Sequence, residues 1–231
     1  MLNQEDLRFE TGQRDGDTVG EIAYRRIRSH IVNGHLKPGA KLKLDHMKQV
    51  YGASVTTLRE ILNRLSVEEL VAAEGQRGFR VAGVSDNELA ALGELRILLE
   101  THALRLSIAR GDLDWEARVV AAQYKLSVLE ERLMTKEPAT VEQWVASDWG
   151  FHYATISACD LPVLARTHAS VFDRFARYHM LTLNFRGKAA ADEHAELRDL
   201  VIGRKPDAAV DLLSGHIRSG IHHITSSGGF G

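Results

Sequence analysis

One short segment in the first third of the chain shows the clearest periodicity of hydrophobic and polar positions. Between residues 54 and 65 the apolar positions recur at the 3.6-residue spacing of one helix face: Leu58, Ile61, Leu62 and Leu65. Ser54 begins this segment and is a good N-cap, because its hydroxyl can accept from backbone N–H groups two or three residues on. Residues 43–50 predict a shorter helix before it, with inward positions Leu44, Met47 and Val50. A short helix, a turn at Gly52 and a capped second helix are typical of a helix-turn-helix.

The outward face of the second helix carries hydroxyl, amide and guanidinium groups, namely Thr56, Thr57, Arg59, Asn63 and Arg64. Such groups suit phosphates and base edges, although an ordinary amphipathic helix pair would show the same pattern. Residues 70–73 and 79–82 predict two strands joined by a glycine-rich turn. This hairpin is a predicted wing, with Gln76 and Arg77 at its tip. The predicted DNA-contacting set is therefore Ser54, Thr56, Thr57, Arg59, Gln76 and Arg77.

Helical patterns without a strand signal occupy the chain from Ser85 onward. Six helices are predicted, at about 86–110, 114–136, 140–158, 162–184, 189–202 and 207–224. Asp86 is the predicted cap of the first and Asp114 begins the second. The inward positions of the first are Leu89, Leu92, Leu95, Leu99, Ala103 and Leu106. With a further helix at about 20–33, capped by Asp17 or Thr18, the fold class is mainly α: an N-terminal winged helix-turn-helix followed by an antiparallel six-helix bundle.

Length and composition agree with two domains. The chain has 231 residues, of which 44% are hydrophobic, enough for two cores. We predict a disordered arm at 1–17, a winged helix-turn-helix domain at 18–83 and an all-helical domain at 84–231. No run approaches the roughly 18 apolar residues of a membrane span, and the arm lacks the apolar segment of a signal peptide. Cys159 is the only cysteine, which excludes an intramolecular disulfide and suits a reducing cytosol, so a cytoplasmic location is expected.

The net charge of −2 hides an asymmetry along the chain. Residues 18–82 contain 11 Lys and Arg against 6 Asp and Glu, whereas residues 83–231 contain 16 against 20. The basic excess therefore coincides with the helix-turn-helix pattern, as a phosphate-binding surface requires. Domains without a nucleic-acid partner also carry an excess of this size. It supports the DNA-binding interpretation without deciding it.

Four ligand-type side chains in the helical half have a suggestive spacing. Asp148 and His152 are four residues apart and share a helix face. His194 and His216 each lie 11 residues from the turn near residue 205. In an antiparallel hairpin they are therefore level with each other, about 16 Å from the turn at 1.5 Å per residue. A metal site is one interpretation; ordinary core or surface histidines, among the 11 of the chain, are the other. The spacing leaves both open.

Arg96 is a charged residue that the pattern places near the interior of the helical half, because Leu92 and Leu99 flank it on one face. A buried guanidinium needs an anionic partner, either Glu100 one turn on or a bound carboxylate. The tryptophans are interpreted as packing residues: Trp115, Trp144 and Trp149. Three arginines form either a pocket wall or a solvated face: Arg174, Arg177 and Arg186. No chemistry is assigned to Cys159, His222 and His223.

Several motifs occur in an order that indicates a family. Residues 31–39 (IVNGHLKPG), 58–60 (LRE) and 68–71 (EELV), the last followed by a Gly-Gln-Arg-Gly turn, resemble the GntR family of bacterial transcription regulators. Residues 94–100 (ELRILLE) resemble the opening helix of the FadR C-terminal (FCD) type of effector domain that this family pairs with its winged helix. Residues 51–54 (YGAS) and 75–81 (GQRGFRV) are similar to those of the carbon-starvation-induced type of regulator. One departure is Val55, where the family usually has an arginine that often reads a base, so the operator sequence is left open.

The resemblance implies partners and a site. It implies a homodimer, held mostly by its effector domains, on double-stranded DNA with a palindromic operator. Asp148, His152, His194 and His216 match the Asp-and-three-His pattern of metal-containing members. A divalent metal ion is therefore implied, with zinc expected and nickel or manganese as alternatives. The resemblance also implies a small carboxylate effector that Arg96 binds beside the metal.

Three functions compete at this point. The leading hypothesis is a transcription repressor that binds an operator, with repression relieved by a small carboxylate metabolite. The second is a metal-dependent, hydrolase-like enzyme. We expect no enzyme activity, because no dedicated general base stands out and an enzyme would not need the winged helix. The third is a DNA-binding dimer whose helical half binds neither metal nor ligand.

Overall fold

The structure is a computed structural model that describes residues 16–137, 140–182 and 185–230. The chain divides into two compact units, Met1–Val84 and Ser85–Gly231. Most of the predicted arm at 1–17 lies outside the described residues. No helix in the described ranges is long and apolar enough to cross a membrane.

The first unit combines three helices with a small sheet. The helices are α1 (Val19–Val32), α2 (Leu44–Tyr51) and α3 (Val55–Val67). The strands are β1 (Lys41–Leu42), β2 (Val71–Ala73) and β3 (Phe79–Val81), in the antiparallel order β1-β3-β2. The β2–β3 hairpin is the predicted wing, with Val71 paired to Val81. Strand β1 was not predicted, because two residues carry no detectable period.

The helix caps of the first unit follow the predicted chemistry. Thr18 caps α1 in a capping box with Glu21, and the Ser54 hydroxyl accepts from the backbone N–H of Thr57 at 3.1 Å. All four apolar positions of the predicted α3 stripe are buried. Val50, predicted to face inward on α2, is 41% exposed. Tyr51 is buried instead, because its hydroxyl lies 2.9 Å from the His30 Nδ1 atom of α1.

The second unit is the predicted six-helix bundle. Its helices are α4 (Asp86–Arg110), α5 (Leu113–Thr135), α6 (Val141–Ile156), α7 (Pro162–Thr182), α8 (Lys188–Ile202) and α9 (Pro206–Ser226). Helix α4 packs mainly against α7 and α9, while α5 packs against α6 and α8. Helices α8 and α9 also pack against each other, so contacts run from α5 through α8 and α9 to α4. Two caps differ from the prediction, since Ser85 caps α4 and Asp112 caps α5.

The buried face of α4 is partly polar, which corrects the prediction for this helix. Leu89, Leu92 and Ala103 are buried, but Leu95 is 38% exposed. Leu99 and Leu106 are only half-buried. The 3.6-residue stripe passes instead through Arg96 and Glu100, which are 3% and 0% exposed. The flanking leucines correctly placed Arg96 near the interior, whereas the full burial of Glu100 depends on partners from other helices that the pattern does not show.

The C-terminal tail is packed on the start of α4, although the serines and glycines of residues 226–231 predict a loose segment. The Phe230 N–H donates to Asp86 Oδ1 at 2.9 Å, and the Phe230 carbonyl accepts from the Asp86 N–H at 3.1 Å. The Phe230 ring contacts the Tyr178 ring edge to face at 5.1 Å between centroids. The Tyr178 hydroxyl hydrogen-bonds the backbone of Ser85. The tail therefore helps to hold the first turn of the bundle.

Candidate metal centre and nucleic-acid interface

The N-terminal turn of α3 presents the residues predicted to contact DNA. Thr56 and Arg59 are exposed, and Arg59 forms no ion pair with any residue that the structure describes. Ser54 is exposed as the cap, and its hydroxyl oxygen lies 2.9 Å from the half-buried Thr57 hydroxyl. Ser54 and Thr57 therefore shape the start of the helix, while Thr56 and Arg59 are available to a nucleic acid.

Arg64, on the same helix, is engaged within the protein. Its guanidinium lies 3.7 Å from the centroid of the Tyr24 ring, and its Nε atom is 3.7 Å from Glu68. Glu68 also accepts hydrogen bonds from Tyr24 and Arg28. This network joins α3 to α1 and leaves Arg59 as the better candidate for a base or phosphate contact.

The wing ends in a turn that requires glycine. Residues Gly75–Arg77 form a short 3-10 turn, and Gly75 and Gly78 have φ of 58° and 93°, a region that favours glycine. Arg77 is exposed at this tip, whereas the Gln76 side chain lies outside the described part of the structure. Arg80, in the middle of β3, forms an ion pair with Glu74 at 2.9 Å. Arg77 is thus the cation that the wing presents outward.

The four predicted ligand-type residues meet in the interior of the second unit. Asp148 and His152 lie on α6, His194 on α8 and His216 on α9, and one ligand atom from each lies within 4.8 Å of the others. The Asp148 Oδ1 atom is 3.2 Å from His194 Nε2 and 3.8 Å from His152 Nε2. His152 and His194 are fully buried, and His216 is 12% exposed. The helical period aligns Asp148 with His152, the antiparallel α8–α9 hairpin aligns His194 with His216, and the packing of the helices brings the two pairs together.

Each of the three histidines has a glutamate behind it. The Nδ1 atom of His152 is 2.9 Å from Glu100, that of His194 is 2.6 Å from Glu130, and that of His216 is 2.7 Å from Glu193. A carboxylate beside Nδ1 accepts a hydrogen bond from the Nδ1 proton, which in a neutral imidazole leaves the lone pair on Nε2. In the neutral form each ring would therefore offer Nε2 to a ligand. This is the arrangement that histidine ligands of metal ions usually have.

The charges of the cluster shift the pKa values of its members. Burial alone would raise the pKa of Asp148, but the neighbouring His152 and His194 hold that pKa far below its usual range. Burial would lower the pKa of His194, but its hydrogen bonds to Asp148 and Glu130 raise that pKa to about 9. Burial and the positive charge of His194 lower the pKa of His216 to about 3. Without a metal ion, one histidine therefore holds a proton that partly offsets the carboxylates.

Glu100 joins the cluster to Arg96. Its carboxylate accepts from Arg96 Nε at 2.6 Å and lies 2.9 Å from both His152 Nδ1 and His168 Nε2. The pair with Arg96 was one of the two alternatives that the sequence left open. Glu130, Glu193 and His168 were missed, because their partners lie on other helices and no sequence spacing reports those contacts.

A small cavity adjoins the cluster. Asp148 and His216 line it together with polar residues Arg96, Trp144, His179 and Arg186, and about 20 Å³ of it is available to the centre of a water molecule. Arg186 donates to Glu193 at 2.6 Å and lies 3.0 Å from His216 Nδ1. The Arg96 Nη2 atom is buried and has no hydrogen-bond partner among the described residues. The cavity thus brings cationic and donor groups next to the candidate metal ligands.

The remaining singled-out residues divide between core and surface. Trp115 and Trp149 are packing residues, as predicted, whereas Trp144 is buried but also lines the cavity. Of the three arginines, Arg186 belongs to the cavity wall, Arg177 is buried, and Arg174 pairs with Glu88 at 2.6 Å. Cys159 is buried, His222 is exposed and His223 is half-buried.

This fold and these sites define a two-unit, DNA-binding class of protein: a winged helix-turn-helix followed by a helical bundle with a buried Asp and His cluster. The chain belongs to the GntR family of bacterial regulatory proteins. The family model for these proteins matches residues 20–81, and the model for the FCD domain matches residues 91–219. The chain is a DNA-binding transcription regulator, and the proteins that it resembles are regulators rather than enzymes.

Two curated relatives match almost end to end. The HTH-type transcriptional regulator BphR of Paraburkholderia xenovorans (strain LB400) is 36% identical over 210 residues, which cover 90% of this chain and 86% of BphR. The HTH-type transcriptional repressor GlaR of Escherichia coli (strain K12) is 30% identical over 200 residues, covering 84% of this chain and 90% of GlaR. Neither name decides the subgroup, so the carbon-starvation-induced type stays a prediction.

Solved structures share the fold. Escherichia coli McbR/YncC superposes with a TM-score of 0.76 at 17% identity, over 91% of this chain and 98% of that one. A GntR transcriptional regulator from Rhodococcus sp. RHA1 superposes with a TM-score of 0.74 at 22% identity, over 90% and 97%. At these identities the likeness shows the architecture alone.

Proposed function

We propose that the protein is a ligand-responsive transcription repressor that holds a divalent metal ion in its helical unit. The ion is bound by Asp148, His152, His194 and His216, and a small carboxylate metabolite binds beside it. Carboxylate binding relieves repression. The protein acts as a homodimer on a palindromic operator, with one recognition helix α3 in the major groove of each half-site.

The charge balance around the cluster carries the metal proposal. Three carboxylates are buried together: Asp148 at 7%, Glu100 at 0% and Glu130 at 1% exposure. In the described part of the chain, Arg96 is the one arginine or lysine that forms an ion pair with any of them. With neutral histidines, two negative charges remain uncompensated in the interior, which is costly. A divalent cation at the Nε2 atoms offsets both.

The donor set favours zinc. Imidazole nitrogens with one carboxylate oxygen are ligands that zinc accepts readily, and nickel and manganese are the alternatives. The three glutamates behind the histidines would hold each ring in the tautomer that a metal ion requires. The ion itself would supply a positive centre that binds an oxyanion.

The cavity supports a carboxylate effector. Arg96 lines it and has a buried Nη2 atom without a partner among the described residues, while its Nε is held by Glu100. A carboxylate placed there would receive a charge-assisted hydrogen bond from Arg96 and lie beside the metal ligands. The free volume, about 20 Å³, is close to that of a single water molecule. A carboxylate is larger than this space, so its binding would move lining side chains, and it would regulate to the extent that it binds one arrangement of the protein better than another.

Repression is proposed from the relative GlaR, which is named a repressor. A purely structural bundle would leave the Arg96 Nη2 donor unpaired and the charge of the buried carboxylates only partly offset.

The deciding experiment is thermal unfolding of the full-length protein with a panel of small carboxylates, before and after removal of metal. Binding to the native state alone stabilises it by about 2.7 kcal/mol at a hundredfold excess over Kd. We expect a shift with at least one carboxylate, lost on stripping and restored by zinc. The carboxylate should be recovered unchanged, since turnover would indicate an enzyme. Absence of any shift, with no metal released, would reduce the second unit to a structural role.

A double variant tests the assignment of the metal ligands. His194→Ala combined with His216→Ala should abolish metal binding, measured as metal per chain by elemental analysis. The control is His222→Ala, because His222 is an exposed histidine on the same helix as His216. Retention of one full equivalent by the double variant would show that the ligands were wrongly assigned.

A further inference from the structure

Trp144 is a buried tryptophan whose indole nitrogen makes no hydrogen bond to the described residues. The side chain lines the cavity and is 4% exposed, and its Nε1 atom has no hydrogen-bond partner among the described residues. Trp115 shows the usual situation, because its Nε1 donates to the Ala154 carbonyl at 2.8 Å. A buried N–H without an acceptor is costly, so such groups in native proteins call for an explanation.

Two other residues around the cavity also have a buried polar atom without a hydrogen-bond partner among the described residues. His179 lines the same cavity, its ring lies edge to face with Trp144 at 5.5 Å between centroids, and its Nδ1 atom is also buried without a partner. Arg96 contributes a third such atom, Nη2. Three partnerless buried polar atoms thus belong to residues around one cavity.

The chemistry of the donors restricts the ligand. Indole and guanidinium groups donate hydrogen bonds and cannot accept them, whereas a neutral imidazole can do either. Arg186, the other cation of the cavity wall, is again a donor only. The two donor-only atoms left without a partner, Arg96 Nη2 and Trp144 Nε1, can therefore be satisfied only by acceptor oxygens. A carboxylate held by Arg96 and the metal would use its oxygens there, so Trp144 calls for a further acceptor.

We propose that Trp144 is a specificity-determining residue that selects effectors with a second oxygen acceptor. This oxygen is a hydroxyl, a carbonyl or a second carboxylate, and it receives a hydrogen bond from Trp144 Nε1 with His179 beside it. The inference rests on the proposed carboxylate site and adds the second contact. A plain aliphatic carboxylate would satisfy Arg96 and leave the indole N–H unpaired.

Water is the competing partner for Trp144. The cavity has room for about one water molecule, which could accept from the indole in the free protein. A ligand oxygen that replaces this water restores the hydrogen bond, whereas a methylene group that replaces it does not. A water that stays in place beside any bound acid would make the second oxygen irrelevant. The two cases differ in measured selectivity.

The test is calorimetric titration of the metal-loaded full-length protein with acids of matched carbon skeleton. One set is propionate, 2-hydroxypropionate, 3-hydroxypropionate and malonate, and a second is butyrate, its 3- and 4-hydroxy derivatives and succinate. At least one oxygenated acid should bind about tenfold or more tightly than the plain acid of its set. The hydroxy acids and the dicarboxylates show which oxygen is preferred.

Trp144→Phe assigns that gain to the indole nitrogen. The variant should reduce the gain, measured as the ratio to the plain acid in the same variant, to less than about twofold, because the ring is kept and only the donor is lost. Trp149→Phe is the matched control, since Trp149 is buried on the same helix but does not line the cavity. This control should keep the full gain.

Three results would contradict the proposal. Equal affinities within both sets would show that no second oxygen is recognised, and the carboxylate site would still stand. A gain that survives in Trp144→Phe would assign the second oxygen to another group, such as the metal ion. If no acid of either set binds to the metal-loaded protein, the proposed effector function fails together with this inference.

Discussion

The Nδ1 atom of His194 lies 2.6 Å from the Oε1 atom of Glu130, and each side chain is only 1% exposed. The two residues are 64 positions apart, on α8 and α5. On its other side, His194 Nε2 is 3.2 Å from Asp148. One ring is thus held between two buried carboxylates, so its orientation and tautomer are set by residues of two other helices.

Glu130→Gln tests this support of the ring. The amide keeps the shape but loses the charge that fixes the Nδ1 proton, so the affinity for zinc should fall about 10- to 100-fold. Competition with a chromophoric chelator measures it. Glu131→Gln alters the exposed neighbouring glutamate and should leave the affinity unchanged. Equal affinity for both variants would remove Glu130 from the site.

The metal-stripped protein should lose stability as the pH rises. The pKa of His194 is raised from 6.5 to about 9 by its hydrogen bonds to Asp148 and Glu130, against the effect of burial. A raised histidine pKa stabilises the fold fully below pH 6.5, and this contribution is lost as the pH passes 9. Urea unfolding between pH 6.5 and 9 measures the decline. His194→Asn should show a flatter profile, and an equally steep one would assign the decline elsewhere.

Arg96→Lys separates the charge of Arg96 from its geometry. Lysine can still neutralise Glu100, so metal content should remain at the wild-type level. The planar donor fork is lost, however, and carboxylate affinity should fall about tenfold or more. Titration with the preferred acid measures this. Arg105→Lys, at an arginine of the same helix whose side chain is 47% exposed, is the control. An unchanged affinity would leave Arg96 as only the partner of Glu100.

Arg59→Ala should weaken operator binding. Arg59 is exposed on α3 without an ion pair in the described structure, so its guanidinium is available to a base or phosphate. Loss of such a contact costs about 1–3 kcal/mol. Fluorescence anisotropy with operator DNA at several salt concentrations measures the loss. Arg118→Ala removes an exposed charge of the second unit and should bind normally; identical binding by both variants would contradict the assignment of α3.

Two glycines of the second unit should respond oppositely to alanine. A Cβ atom at Gly111 would lie 2.1 Å from the ring of Trp115, which is fully buried and hydrogen-bonded, so Gly111→Ala should destabilise the fold by about 1–3 kcal/mol. A Cβ atom at Gly150 would meet nothing within 4 Å, and Gly150 is in the middle of α6. Gly150→Ala should therefore stabilise by about 0.5–1 kcal/mol. Chemical denaturation gives both values, and a tolerated Gly111→Ala would mean that Trp115 can move.

Local sequence signals determined the elements and their order. The apolar stripe of α3, the caps at Thr18 and Ser54 and the glycine turn of the wing depend on residues within a few positions of one another. The pairing of Asp148 with His152 followed from the helical period and that of His194 with His216 from the antiparallel hairpin, but only the family resemblance implied that the two pairs form one site. Leu95 was predicted to face inward but is 38% exposed, because the spacing of a leucine does not show whether another element packs against it.

Only the tertiary structure shows which side chains support these residues. Glu100, Glu130 and Glu193 each meet a histidine of another helix, and Trp144 lies at a cavity built from several helices. The physical reason is that burial of a charge or a polar N–H depends on partners brought in from far along the chain. A sequence shows which side chains bear chemistry. Their charge balance and their unmet hydrogen bonds exist only once the helices are packed.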